Sequence, residues 1–137
     1  MTLEEKQALA NDDLESLLSG NTNYGQPRLE RAIWSPQSLV IHAYQNPNPI
    51  SSWTKRTLYD ESIKIMRKLF PNHEFIQRMK IIWYTEGTNV SGQKEAFHAM
   101  RMSIERTEFE KVNWRRFIPE DLPLITEDYW QHPNYFD

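Results

Sequence analysis

Residues 75–108 hold the pattern that most narrows how this chain can fold. Ile81, Ile82, Trp83 and Tyr84 form an aromatic and β-branched run that leads into the turn-rich segment Glu86-Gly87-Thr88-Asn89-Val90-Ser91-Gly92. The segment that follows alternates His98, Met100, Met102 and Ile104 with Phe97, Ala99, Arg101, Ser103 and Glu105. A period of two with one apolar side places one face on a core and the other nearer water. The spacing therefore predicts one long antiparallel hairpin. Its loop, without a charge from Gly87 to Gln93, reads as a surface turn.

The flanking segments supply the remaining elements. Residues 29–34 and 38–44, split by Ser35-Pro36-Gln37, predict a first hairpin, and Asn46-Pro47-Asn48-Pro49 ends it because proline has no ladder donor. Ser51 or Ser52 is placed to cap a helix over 53–70, stopped by Pro71 and Asn72. Leu58, Ser62, Ile65, Met66 and Leu69 give it one face to lay on a sheet. Thr2 with Glu5 makes a capping box for an N-terminal helix reaching Gly20, with Leu14, Leu17 and Leu18 on one side and a polar, frayed middle at Asn11-Asp12-Asp13. A second capping box, Thr107 with Glu110, opens a short helix through Val112. Beyond Asn113, the aromatics Trp114, Phe117, Tyr129, Trp130, Tyr135 and Phe136 stand among Pro119, Pro123 and Pro133, which predicts an irregular tail that wraps the domain. The expected fold is a two-layer α+β domain in the order β-β-α-β-β. About four antiparallel strands carry one long helix across one face, with the N-terminal helix and the aromatic tail around them.

A chain of 137 residues fits one domain, divided into an N-terminal helix (1–20), an α+β core (28–117) and a wrapping tail (118–137). The absence of cysteine removes disulfide frameworks, thiolate metal sites and cysteine nucleophiles. Four glycines, none in a phosphate-binding pattern, argue against nucleotide enzymes, and no Gly-x-Ser-x-Gly occurs. His42, His73, His98 and His132 share no metal-ligand spacing, and no cofactor is implied. His42 and His98 lie in different hairpins and can meet across one sheet, so a small metal-assisted or acid–base hydrolase using either with a carboxylate is one alternative function. The carboxylates Glu120-Asp121 and Glu127-Asp128 read as a solvated acidic tail.

Charge is unevenly spread. Residues 53–117 carry thirteen Lys and Arg against eight Asp and Glu, while residues 1–31 and 118–137 are net acidic. The plain reading is internal neutralisation, with the tail lying on the basic middle. The functional alternative is an anionic-partner patch on the helix, made by Lys55, Arg56, Lys64, Arg67, Lys68 and Arg78. A pI near 5.8 argues against nucleic acid as that partner. The leading reading is a non-enzymatic binding or interaction module: with helix on one side only, the sheet leaves Trp83, Tyr84, Phe97 and Arg101 for a protein or cell-envelope partner, or for a second copy.

The tail also carries a resemblance. Phe109-Glu110-Lys111-Val112-Asn113-Trp114 with Phe117, then Leu122-Pro123 and Asp128-Tyr129-Trp130-Gln131-His132-Pro133, resembles the ending of small, poorly characterised domains from Gram-positive bacteria and their mobile elements. Such domains commonly follow a lipoprotein signal or a single membrane anchor, so the resemblance implies an extracytoplasmic, lipoprotein-type setting and no particular chemistry. The start Met1-Thr2-Leu3-Glu4-Glu5-Lys6 lacks the basic lead and apolar centre of a secretory signal. The expectation is a membrane-anchored, extracytoplasmic location if a signal or anchor precedes Met1, and a cytoplasmic one otherwise. No apolar run is long enough to span a membrane.

Overall fold

In the computed structural model, residues 1–45 and 55–133 are described. Helix α1 (Leu3–Leu17) precedes the hairpin β1 (Leu29–Ser35) and β2 (Ser38–Tyr44). Helix α2 (Lys55–Asn72) leads to a second hairpin, β3 (Arg78–Thr88) and β4 (Lys94–Glu105). Then come α3 (Arg106–Lys111), a short 3₁₀ turn (Pro119–Asp121), α4 (Leu122–Ile125) and β5 (Glu127–Gln131). The five strands form one sheet in the order β1-β2-β3-β4-β5.

The α+β class and the β-β-α-β-β order hold, but the sheet is mixed and has a fifth strand. β2 pairs parallel to β3, from Ser38 opposite Arg78 to Tyr44 opposite Tyr84, and the other three pairings are antiparallel. The reason lies in the connection. A tight turn reverses a strand, whereas α2 carries the chain back along the sheet so that β3 starts from the same end as β2. The fifth strand comes from the tail: β5 adds to β4 at Met100, Arg101 and Ser103. The cap expected at Ser51 or Ser52, and the aromatics Trp53, Tyr135 and Phe136, lie outside the described residues.

Alternation along the central strands sends Leu39, Ile41, Ala43, Met79, Ile81, Trp83, Met100, Met102 and Ile104 to one face, all buried. Both long helices lie on it. Leu58, Ser62, Ile65, Met66 and Leu69 of α2 are buried, as their spacing requires, together with Tyr59 and Phe70. Each large apolar side chain so removed from water contributes about 1.5–3 kcal/mol. The capping box of α1 forms in both directions, at 3.1 Å each way between Thr2 and Glu5. Its polar middle is not frayed. Ala10 and Leu14 are fully buried, Asn11 Oδ1 accepts from the Trp34 indole at 3.0 Å, and Asp13 meets His73 at 2.6 Å. Those polar side chains dock α1 onto β1 and onto the end of α2.

The second capping box does not form. α3 starts at Arg106, so Thr107 already sits in the first turn, and the N-cap position falls to Glu105 without a side-chain bond. In the tail, Leu122 is fully buried, and Trp114, Phe117 and Tyr129 pack on the core. The Tyr129 hydroxyl meets that of Tyr59 at 2.7 Å. Acidic tail and basic middle are in contact: Arg56 pairs with Glu120 at 2.7 Å, and Arg78 binds Glu105 and Glu127. No helix is long and apolar enough to cross a membrane among the described residues.

Candidate functional site

The other face of the sheet carries no helix among the described residues, and register orders its side chains into rows. One row crosses all five strands as Arg31, His42, Ile82, Arg101 and Trp130. On one side of it run Tyr44, Tyr84 and His98, and on the other Ile33, Val40, Lys80 and Ser103. Tyr84 is the hub. Its hydroxyl and His42 Nδ1 are 2.8 Å apart, its ring meets Tyr44 at 5.8 Å, and His98 stands edge-on to it at 4.7 Å. The His42 and Tyr84 rings are inclined by only 22° with centroids 5.8 Å apart. That spacing and tilt are those of an offset stack, tied at one edge by the hydrogen bond. Arg101 approaches the Trp130 ring at 5.3 Å.

Of the four residues expected here, Tyr84 and Arg101 belong to this face. Trp83 does not, because adjacent residues of a strand point to opposite sides. Its side chain is fully buried against α2, where its indole N–H donates to Ser62 Oγ at 2.9 Å. Phe97 is also displaced, by a bulge. Trp83 pairs with Met100 but Tyr84 with His98, so Ala99 is an extra residue in β4. Below it the alternation is reversed: His98, expected with Met100 on the core side, joins Tyr84, and Phe97 pairs with Thr85 and lies on Gly87. Only the hydrogen at Gly87 leaves room for that ring, since a Cβ there would stand 2.8 Å from Phe97 Cε2.

The six basic residues proposed as one patch are not brought together. Lys64, Arg67 and Lys68 are exposed on α2, Lys55 is half-buried, and Arg56 is held by Asp60 and Glu120. Arg78 lies in β3 on the helix-free face, held by Glu105, Glu127 and Asp128. The histidines divide too. His42 and His98 do meet across the sheet, through Tyr84, while His73 pairs with Asp13 in the helix layer and His132 stands beside Trp130. Among the described residues, no group of three or more side chains is placed to hold a metal.

Sequence reasoning left Arg31, Tyr44, Lys80, Ile82 and Trp130 out of the site. Tyr44 and Lys80 were findable, being two residues from His42 and Ile82 on the same side of their strands. Trp130 was not, because nothing local marks residues 127–131 as a strand. At the hairpin end of the face, Glu86 accepts from Thr22 Oγ1 at 2.8 Å and from the Tyr24 N–H at 3.3 Å, tying the loop before β1 to β3. A shallow hollow of about 240 Å³ opens there, between Tyr24, Tyr44, Glu86 and Lys94.

The electrostatics of the face are readable at His42, which is 8% exposed. Burial pushes its pKa below the ordinary 6.5, Arg31, His98 and Lys80 push the same way, and Glu30 opposes them. Burial and Glu30 raise the Tyr84 hydroxyl, against Arg31. The sign for stability follows. The unfolded chain takes a proton on His42 more readily than the folded one, so the contribution of neutral His42 is present above pH 6.5 and is lost as pH falls from there through the lowered folded value. Urea unfolding of wild type and His42→Gln across that window will show a steeper acid-side loss for wild type; identical slopes would mean that His42 does not titrate as its surroundings require.

No family model matches the chain, and neither does any curated protein or solved structure.

Proposed function

We propose that this chain is a binding module that docks a partner on the helix-free face of its sheet. The observation that carries the reading is the Tyr84 hub, with His42, Tyr44 and His98 around it and Ile82 in the adjacent row. Aromatic rings held by one another on a rigid sheet present contact area with little ordering left to do on binding. Binding is favoured over catalysis because His42 uses Nδ1 on a tyrosine hydroxyl. A general base is oriented by a carboxylate or carbonyl, whereas this bond ties the buried His42 to the half-buried Tyr84. The resemblance in the tail supports a setting at the cell envelope or on a mobile element, and a lipid-attachment cysteine encoded just upstream would test that.

The surface itself is tested by selecting phage-displayed peptides on the wild-type protein and re-measuring them on Ile82→Glu and Tyr84→Ala. Both substitutions lie outside the buried core, so thermal unfolding should still be cooperative. The expected result is enriched peptides whose affinity drops at least about tenfold on either variant, the size of a hot-spot loss. Peptides that bind both variants as well as wild type would refute the assignment.

A further inference from the structure

The ligand class of this face can be read from what surrounds Tyr84, and the inference rests on the face being the contact surface. We propose that it binds single-stranded nucleic acid, with bases on Tyr84 and Tyr44 and phosphates on Arg31, Lys80 and Arg101. Three observations carry this. First, Tyr84 and Tyr44 are half-buried rings at paired positions of adjacent strands, and a partly exposed tyrosine tolerates any base because every base has a π-face. Trp130 offers a further ring beyond Arg101.

Second, three cations lie in and beside the row next to these rings. With strands about 4.8 Å apart, Arg31 and Arg101 stand about 14 Å from each other across the row, and Lys80 sits one step along β3 between them. Among the described residues none of the three has a carboxylate at ion-pair distance, whereas the acids bordering the face are mostly engaged. Glu105, Glu127 and Asp128 are drawn to Arg78, and Glu86 is held by Thr22 and Tyr24. Glu30 is the bordering acid without such a tie. Third, the acidity of the chain, which argues against nucleic acid when counted over the whole sequence, sits elsewhere: in α1, and in tail carboxylates already paired with Arg56 and Arg78. An acidic peptide would satisfy the three cations but makes less use of the aromatic rings than stacked bases do, so Tyr84, Tyr44 and Trp130 favour nucleic acid.

The test is fluorescence anisotropy of labelled oligothymidylate and oligouridylate of about 15 nucleotides, a length suited to one such surface. At about 50 mM salt both should bind, with log affinity falling against log salt at a slope of about −2, as three phosphates neutralised on a single strand require. Tyr84→Leu and Arg101→Gln should each weaken binding at least about fivefold, the lower end for loss of a stacked base. Lys64→Glu with Arg67→Glu, on the outer side of α2, should change it little. Circular dichroism and thermal unfolding of each variant separate loss of contact from loss of fold. Three results would overturn the proposal: no binding of either oligonucleotide, equal competition by polyglutamate, or greater sensitivity to the α2 pair than to the face. If oligonucleotides fail while displayed peptides still depend on Ile82 and Tyr84, the nucleic-acid assignment falls and the binding face stands.

Discussion

Trp83→Ala will remove about 3–5 kcal/mol of stability, the range for deleting a large aromatic from a packed core. For a domain whose whole stability is about 5–15 kcal/mol, that is enough to leave a large unfolded fraction on mild warming. The size follows from position. Trp83 is fully buried at the middle of the central strand, between Ala43 of β2 and Met100 of β4, and Ser62 of α2 accepts its indole N–H at 2.9 Å. Alanine would open a cavity that rigid strands on both sides cannot close, and it would leave the buried Ser62 hydroxyl without its donor. Trp83→Phe separates the two effects. It restores most of the volume, and the remaining loss of about 1–3 kcal/mol is the cost of an unsatisfied buried group. Combining Trp83→Phe with Ser62→Ala should recover part of that loss, because the orphaned hydroxyl is then gone. Urea unfolding of wild type, Trp83→Phe, Ser62→Ala and the double variant closes the cycle, with Trp83→Ala measured beside it; a Trp83→Ala variant within about 1 kcal/mol of wild type would show that the helix–sheet interface is not packed as described.

The second large effect is at Arg106. Its guanidinium donates to three backbone carbonyls, Ile76 at 2.8 Å and Phe70 and His73 at 2.9 Å each, and it lies over the Phe70 ring at 5.1 Å. Phe70 belongs to the last turn of α2 and His73 follows it, where carbonyls lack helical partners and the dipole is negative. The side chain is 14% exposed, so few of those bonds can be replaced by water. Arg106→Ala should therefore cost about 2–4 kcal/mol, combining lost charged hydrogen bonds with buried acceptors left bare. Arg106→Lys should regain less than half, since one ammonium cannot span three carbonyls as a planar fork does. Amide exchange will report the place of the damage: the last turn of α2 and the start of β3 should open first. Equal stability of the Lys and Arg proteins would show that charge alone, without the fork, holds this corner.

Arg106 also shows where reading the chain stops. Its sequence position marks only the start of a short helix, and its three partners lie 30 to 36 residues away. Periodic features were legible because period is local: the stripe of α2, the Met100-Met102-Ile104 side of β4 and the capping box at Thr2 all follow from spacing. The parallel pairing of β2 and β3 was not, because hairpin signals say how neighbours in sequence pair and nothing about which hairpin edges meet. The bulge at Ala99 was invisible for a related reason. It depends on the register of two strands, and one inserted residue moved both Phe97 and His98 to the side opposite the one alternation assigns. For the site, the bulge displaced Phe97, while Trp83 is on the opposite side from Tyr84 by alternation alone.

The position of β5 bears on how the chain behaves while it folds. β4 is twelve residues long and presents an open edge until residues 127–131 arrive to pair with it. A chain in which residues 127–131 have not yet docked therefore carries a nearly complete sheet whose outer strand can pair with any neighbour. The strand that ends this exposure is short and acidic at its start, with Asp128 at a positive φ of 52° that breaks the ladder's regularity. β5 thus acts as a guard strand: it covers one edge and offers the next chain a poor template in its place.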